Sequence, residues 1–301
     1  MSPIDLVINQ LPASPPSKPH PRLNQINPEI VYEYLPSPDD IDSNLIVMFH
    51  GLGDTPKPFS NLAKTLKLPQ TAFLIIRAFE RVPLLEEEAF QWWDSFDPLT
   101  GDPVTNPNPS KSISRLNAVL DHLISNEIGW HASTIHLFGF AQGGSCAAEL
   151  LVNRTRNAEA PNASKDGPQA ARPALGSLVT VSGPLLSLPT ISPETRSQTP
   201  TLLWVRKHED TIGRWRAGFA KGFAFVEHFT ASVPGQDGQP SMPRGQEWDP
   251  IMKYALFPEE LSVELSREQY LYLSFIPIYQ VLVQTPKAKE RMGDLWLYCE
   301  L

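Results

Sequence analysis

The chain has 301 residues, 41% of them hydrophobic, a formal net charge of −8 and a sequence pI near 5.4. That apolar content is enough for one large domain with a substantial core, or for two small ones. The acidic balance, with no basic run, argues against nucleic acid as a partner. Two cysteines far apart in sequence, Cys146 and Cys299, make no disulfide framework.

The first residues, MSPIDLVINQLPASPPSKPHPRLNQ, are rich in Pro, Ser and Asn, and residues 1–28 are expected to form a flexible tail. They lack the cationic start and apolar core of a signal peptide, so a cytoplasmic setting is the simplest expectation. Strand-length apolar runs follow at Ile30–Tyr34, Leu45–Phe49, Ala72–Ile76, Ile135–Phe140, Leu175–Val181, Thr201–Val205 and Phe223–Thr230. Most are nearly continuous in apolar residues, as expected of parallel strands covered on both faces. Helical spacing fills the gaps, in FSNLAKTLKL, in SISRLNAVLDHLISNEIGW and in AAELLVNR. Ser110 or Ser112 is the candidate cap of the second of these. The acidic run Leu84–Phe90 reads as a solvated turn of helix. Alternating strand and helix predicts an α/β fold over residues 29–255, a doubly wound, mostly parallel sheet with helices on both faces.

Two stretches stand apart from this pattern. Residues 153–173 have almost no large apolar side chain and read as a flexible surface insertion. Residues 256–301 mix apolar and charged sequence unevenly, and the sheet has no evident place for them. Their apolar stretch from Leu271, LYLSFIPIYQVLV, is too short to span a bilayer and contains Pro277 and Gln280.

Three features carry chemistry. MFHGLGDT, from Met48, follows a buried strand, and its glycine turn can aim a backbone N–H into a site. HLFGFAQGGSCAAELL, from His136, is laid out as a strand, a sharp turn and a helix. It has the frame of a nucleophile elbow, but the position that carries the nucleophile is Ala141. TPTLLWVRKHEDT ends a third strand in a polar cluster containing Asp210. That aspartate serves either to orient a histidine or as N-cap of a helix starting at Thr211. His208-Glu209-Asp210 lacks zinc-site spacing and no phosphate-binding loop is present, so no metal or other cofactor is expected.

In order and spacing, HGLGDT, the Trp-aromatic-Asp segment FQWWDSFDP and GFAQGG resemble the acyl-protein thioesterase and phospholipase/carboxylesterase family of α/β hydrolases, from about Glu29 to Met252. The family elbow reads GFSQGG. The resemblance implies an α/β-hydrolase fold with Leu52 and Gln142 N–H groups forming an oxyanion hole. It implies Ala141 at the nucleophile position, Asp210 at the triad-acid position, and Trp92 and Trp93 on the acyl-binding side. The family's triad histidine follows the last strand, where this chain has PGQDGQPSMPRG and no histidine. Ser145 and Cys146 lie a helical turn beyond Ala141 and are not expected to share the tip of the elbow.

Two losses in one triad predict little or no hydrolysis, with the pocket kept for an acyl group, a lipid or an acylated protein. An active hydrolase with a rearranged triad, and an interaction protein working through its termini, are the other readings. Oligomeric state is not legible in the sequence.

Overall fold

Continuous apolar runs need cover on both sides, and the computed structural model provides it. It describes residues 18–83, 85–158, 172–187, 195–206, 209–231 and 240–256. The strands are β1 (Tyr32–Leu35), β2 (Asn44–Phe49), β3 (Thr71–Ile76), β4 (Glu80–Arg81), β5 (Phe90–Gln91), β6 (Ile135–Phe140), β7 (Ser177–Val181), β8 (Thr201–Arg206) and β9 (Val226–Ala231). The α-helices are α1 (Leu23–Ile26), α2 (Pro56–Leu66), α3 (Ser110–Ile124), α4 (Gln142–Ala158), α5 (Glu209–Gly222) and α6 (Trp248–Leu256). Seven strands form one sheet in the order β1-β3-β2-β6-β7-β8-β9. All pairs are parallel except β1 with β3, while β4 and β5 make a separate antiparallel ladder.

Successive side chains of a strand point to opposite faces, and the core divides accordingly. Leu45, Val47 and Phe49 of β2 pack on one face with buried residues of α3 and α4. Ile46 and Met48 pack on the other with Phe59, Leu62 and Ala63 of α2 and with Trp248, Ile251 and Tyr254 of α6. Each fully buried Leu, Ile or Phe contributes about 1.5–3 kcal/mol of transfer free energy.

Several elements differ from the sequence reading. The packed chain begins before residue 29, because Leu23 is fully buried in the core and the Lys18 ammonium donates to Gly129 O at 2.7 Å. Helix α3 opens without a side-chain cap: Pro109 precedes it, and Ser112 sits inside it, donating its hydroxyl to Trp92 O. Glu86–Glu88 form an exposed bend leading into β5 rather than a turn of helix. A short strand pairing with β4 suffices there, since Phe90 is the residue that needs cover. Helix α4 runs to Ala158, into the stretch read as an insertion, and Arg172 ion-pairs with Asp121 at its far end. Residues 159–171, and all but Leu256 of the C-terminal stretch, lie outside the described residues.

Candidate active site

The C-terminal ends of β2, β6 and β7 meet at one place, the edge where open α/β sheets bind ligands. At the end of β6 the chain turns through Ala141, whose φ of 46° is left-handed. Ala141 N–H donates to Val181 O at 2.8 Å, which ties the turn to β7. The flanking glycines permit the close passage of strand and helix. A Cβ on Gly139 would stand 2.6 Å from Gly144, and one on Gly143 would stand 2.4 Å from the carbonyl oxygens of Phe49 and His50.

The glycine turn after β2 forms the opposite wall. Gly53 N–H donates to Phe90 O at 2.9 Å, and Phe90 N–H to Asp54 O at 3.2 Å. His50 is locked underneath: its Nδ1 lies 2.8 Å from Gly51 O, and its Nε2 accepts Ala78 N–H at 2.9 Å. Those partners require a neutral ring protonated at Nδ1, and burial pushes its pKa down to about 4. A Cβ built on Gly51 would lie 3.9 Å from Ala141 Cβ, so the two walls face each other at contact range.

Between them is an open pocket of about 690 Å³ lined by Gly51, Leu52, Asp54, Trp93, Ala141 and Gln142, among others. Neither Leu52 N–H nor Gln142 N–H donates to an acceptor among the described residues. Gln142 also opens the seventeen-residue helix α4, whose N-terminus carries roughly half a positive charge. This pair of donors can polarise a carbonyl oxygen.

The two tryptophans part company. Trp93 lines the pocket, whereas Trp92 is 1% exposed and packs inward. Its ring meets Phe49, Phe79 and His50, and its Nε1 donates to His50 O at 2.8 Å. Trp92 therefore supports the floor and does not face a ligand, which corrects the sequence expectation. Ser145 is a second correction. It lines the pocket although it is one turn into α4, because helical side chains lean back toward the N-terminus. Cys146 turns the other way. It is fully buried, and burial together with the nearby Glu149 raises its thiol pKa, which keeps it un-ionised.

Sequence reasoning also missed the third wall. Ser182, Pro184 and Leu186 follow β7 and line the pocket. Glu149 of α4 holds this loop, accepting Leu186 N–H and Ser187 N–H at 2.8 and 2.7 Å. The available signal was position: VSGP directly follows a buried strand. Pro240 closes the far side. Its loop is fastened by Arg206 at the end of β8, which donates to Ser241 Oγ and Met242 O and pairs with Glu247 at 2.8 Å.

Of the seven histidines, six are described, and none of the six lines the pocket. His136 bonds Ser177 at the other end of β6, and His228 is exposed on β9. His208 lies outside the described residues, as do residues 232–239. Asp210 falls in the first turn of α5, which starts at Glu209 rather than Thr211, so Asp210 is not its N-cap. The Asp210 side chain lies outside the described part. Among the described residues, no group of three His, Cys, Asp or Glu is arranged to hold a metal ion, and no helix is long and apolar enough to cross a membrane.

Comparison with known proteins places this geometry. Residues 32–159 match the phospholipase/carboxylesterase family. A Mycosarcoma maydis protein described as an uncharacterized hydrolase is 35% identical over 228 residues, covering 74% of this chain and 79% of that one. A second uncharacterized hydrolase, from Schizosaccharomyces pombe, is 32% identical over 130 residues, 42% of this chain and 53% of its own. Among solved structures, Zea mays acyl-protein thioesterase 2 superposes with a TM-score of 0.53 at 22% identity, over 74% of this chain and 96% of that one. A Mesorhizobium loti carboxylesterase gives 0.50 at 15% identity, over 76% and 96%. At these identities the structures speak for the fold, which is that of the α/β hydrolases, and the sequence relatives speak for descent. The chain belongs to the phospholipase/carboxylesterase family.

Proposed function

We propose that the protein is an acyl-binding member of its family with little or no hydrolytic turnover. One observation carries this reading. The elbow residue holds the left-handed turn of a nucleophile position beside two unengaged N–H donors, and its side chain is a methyl group. A pocket so built can hold an acyl carbonyl. It has no hydroxyl at the elbow to attack that carbonyl and, among the described residues, no histidine lining it to accept a proton. In this reading Leu52 and Gln142 act through their N–H groups, Trp93 packs against the acyl chain, and Asp210 keeps the triad-acid position without a histidine to orient. The ligand is an acyl group, free, in a lipid or on a protein, met in the cytoplasm.

Oxyanion stabilisation and binding alone retain roughly 10³–10⁴-fold acceleration in a serine protease stripped of its triad. The test is a paired measurement on the full chain: binding of a non-hydrolysable alkyl ketone, and turnover of the matching acyl ester. Saturable ketone binding without turnover beyond that residual level is expected. A kcat/KM near the ordinary enzymatic range of about 10⁴ M⁻¹s⁻¹ or more would overturn the reading in favour of a rearranged triad.

A further inference from the structure

Two serine hydroxyls open to the pocket have no use in holding an acyl chain. Ser145 is 2% exposed and Ser182 8% exposed, and both line the pocket. Neither hydroxyl has a hydrogen-bond partner among the described residues. Both residues are largely buried, yet their hydroxyls stay open to the cavity, so two such groups on one wall can meet a polar group of a ligand.

Their placement says which group. Ser145 N–H donates to Ala141 O at 3.1 Å, so Ser145 sits directly behind the elbow. Ser182, with a left-handed φ of 55°, is fastened by its N–H to Trp204 O at 2.8 Å, and the next residue passes close to both. A Cβ on Gly183 would stand 2.7 Å from Ala141 O and 2.6 Å from Ser145 N. The unengaged Leu52 and Gln142 N–H groups stand around the same methyl group. The pocket lining therefore offers two pairs of donors, the N–H groups of Leu52 and Gln142 and the hydroxyls of Ser145 and Ser182, beside the Ala141 methyl group. A ketone has one oxygen and satisfies one pair, and the second oxygen of an ester is an uncharged, weaker acceptor. A carboxylate has two oxygens and can satisfy both.

We infer that the ligand of this pocket is a free carboxylic acid in its anionic form, one oxygen on the Leu52 and Gln142 N–H groups and the other, above Ala141, on the Ser145 and Ser182 hydroxyls. This rests on the acyl-binding reading and narrows it from acyl groups in general to free acids. The charge is met by dipoles. No Lys, Arg or His is among the described lining residues, and the N-terminus of α4 supplies the positive end. Asp54 lines the same pocket and opposes an anion. Its removal therefore strengthens carboxylate binding.

The experiment is calorimetric titration of the full chain with octanoate and with octanamide, which has the same shape and no charge. Octanoate is expected to bind about tenfold more tightly, the scale of one charge-assisted hydrogen bond. Ser145→Ala should remove most of that preference and leave octanamide affinity within about twofold, while Asp54→Asn should widen it. Equal affinity for the two probes overturns the inference, as does a preference that survives Ser145→Ala, and either result leaves the acyl pocket standing. If neither the C8 probes nor their C4 and C16 homologues bind, the acyl-binding reading itself falls, and the inference with it.

Discussion

Gln142 reaches across the pocket to Trp92. Its Oε1 accepts the Trp92 N–H at 2.8 Å, and its Nε2 donates to Ser95 Oγ at 2.7 Å. One side chain thus joins the start of α4 to the segment that carries both tryptophans. Gln142→Ala leaves the buried Trp92 N–H without an acceptor, which costs about 1–3 kcal/mol. Ser95→Ala removes two partly buried contacts, with Gln142 Nε2 and from Ser95 Oγ to Trp93 O at 3.2 Å, leaves no fully buried backbone group unpaired, and should cost about 1 kcal/mol or less. The two should be non-additive, because they share a bond. Urea unfolding of both single variants and the double variant measures this; equal losses from the two single changes would contradict it.

At Ala141 the usual rule about glycine inverts. A left-handed residue with a Cβ is strained by about 1–2 kcal/mol, and Ala141 has a φ of 46°. Ala141→Gly relieves that strain while loosening the unfolded chain by about 0.5–1 kcal/mol, so the variant should be as stable as the parent or up to about 1 kcal/mol more stable. Ala147→Gly, inside α4 and fully buried, should instead lose about 1 kcal/mol or more. A loss at 141 equal to that at 147 would mean the turn is not left-handed.

How much of this was legible depended on whether a neighbour leaves a mark in the pattern. The run Ile135–Phe140 matched β6 residue for residue, because a strand covered on both faces is largely apolar and its one polar side chain, His136, is satisfied by Ser177. The glycine frame around residue 141 was legible for the same kind of reason: backbone crossings as close as those at Gly139 and Gly143 admit no side chain. The choice between Trp92 and Trp93 was not legible. Adjacent residues of an extended segment face opposite ways, and only tertiary packing says which way is in. Ser145 was misjudged because a helical turn of separation along the axis was taken for separation from the tip, whereas the side chain leans back toward it. Asp54, Ser182 and Pro240 come from different loops, and nothing local in sequence announces that three strand ends bring them together.

Two buried neutral histidines set a response to acid. Burial lowers both His50 and His136 to about 4, against about 6.5 in an unfolded chain. Between these values the unfolded chain binds protons that the folded chain does not. Stability therefore falls as pH drops from about 6.5 to about 4, by up to about 1.4 kcal/mol per pH unit for each ring, and the slope from either ring fades out only above about pH 7.5. His136→Gln should flatten the stability–pH curve below pH 6.5 while leaving its slope above about pH 7.5 unchanged. Chemical denaturation across that range reads it directly, and an unchanged acid limb would rule out a neutral buried His136.

Arg206 fixes the loop that closes the pocket. Its side chain is 4% exposed and that of its partner Glu247 is 19% exposed. Breaking a buried pair from one side leaves an uncompensated charge and costs about 3–5 kcal/mol. Arg206→Met should fall near the lower figure, since water can reach Glu247. Because the same guanidinium also holds Ser241 and Met242, the Pro240 wall should loosen and octanoate affinity should fall with stability. A large loss of stability with unchanged affinity would separate the loop from the pocket.

The last prediction concerns restoring chemistry. A serine hydroxyl is a poor nucleophile at its free pKa and needs a base beside it, and none of the histidines described lines the pocket. Ala141→Ser alone should therefore raise the turnover of a short acyl ester by less than about tenfold. The family resemblance puts the base in the loop after β9, and among that loop's described residues one stands at the pocket. Ser241 is tied to Arg206 and the Met242 side chain packs against the core beneath the sheet, whereas Pro240 lines the pocket itself. Pro240→His places an imidazole on that wall. General-base catalysis contributes about 10²–10⁴-fold, so Ala141→Ser with Pro240→His should exceed either single variant by at least about 10²-fold, far beyond the product of the separate effects. In the proposed reading, where Asp210 keeps the triad-acid position, Asp210→Asn in the double variant should remove most of the gain. Steady-state turnover of p-nitrophenyl butyrate by the three variants measures the coupling. High activity from Ala141→Ser alone would show that a base already stands at the elbow, and the protein would then be a serine hydrolase disabled by one substitution.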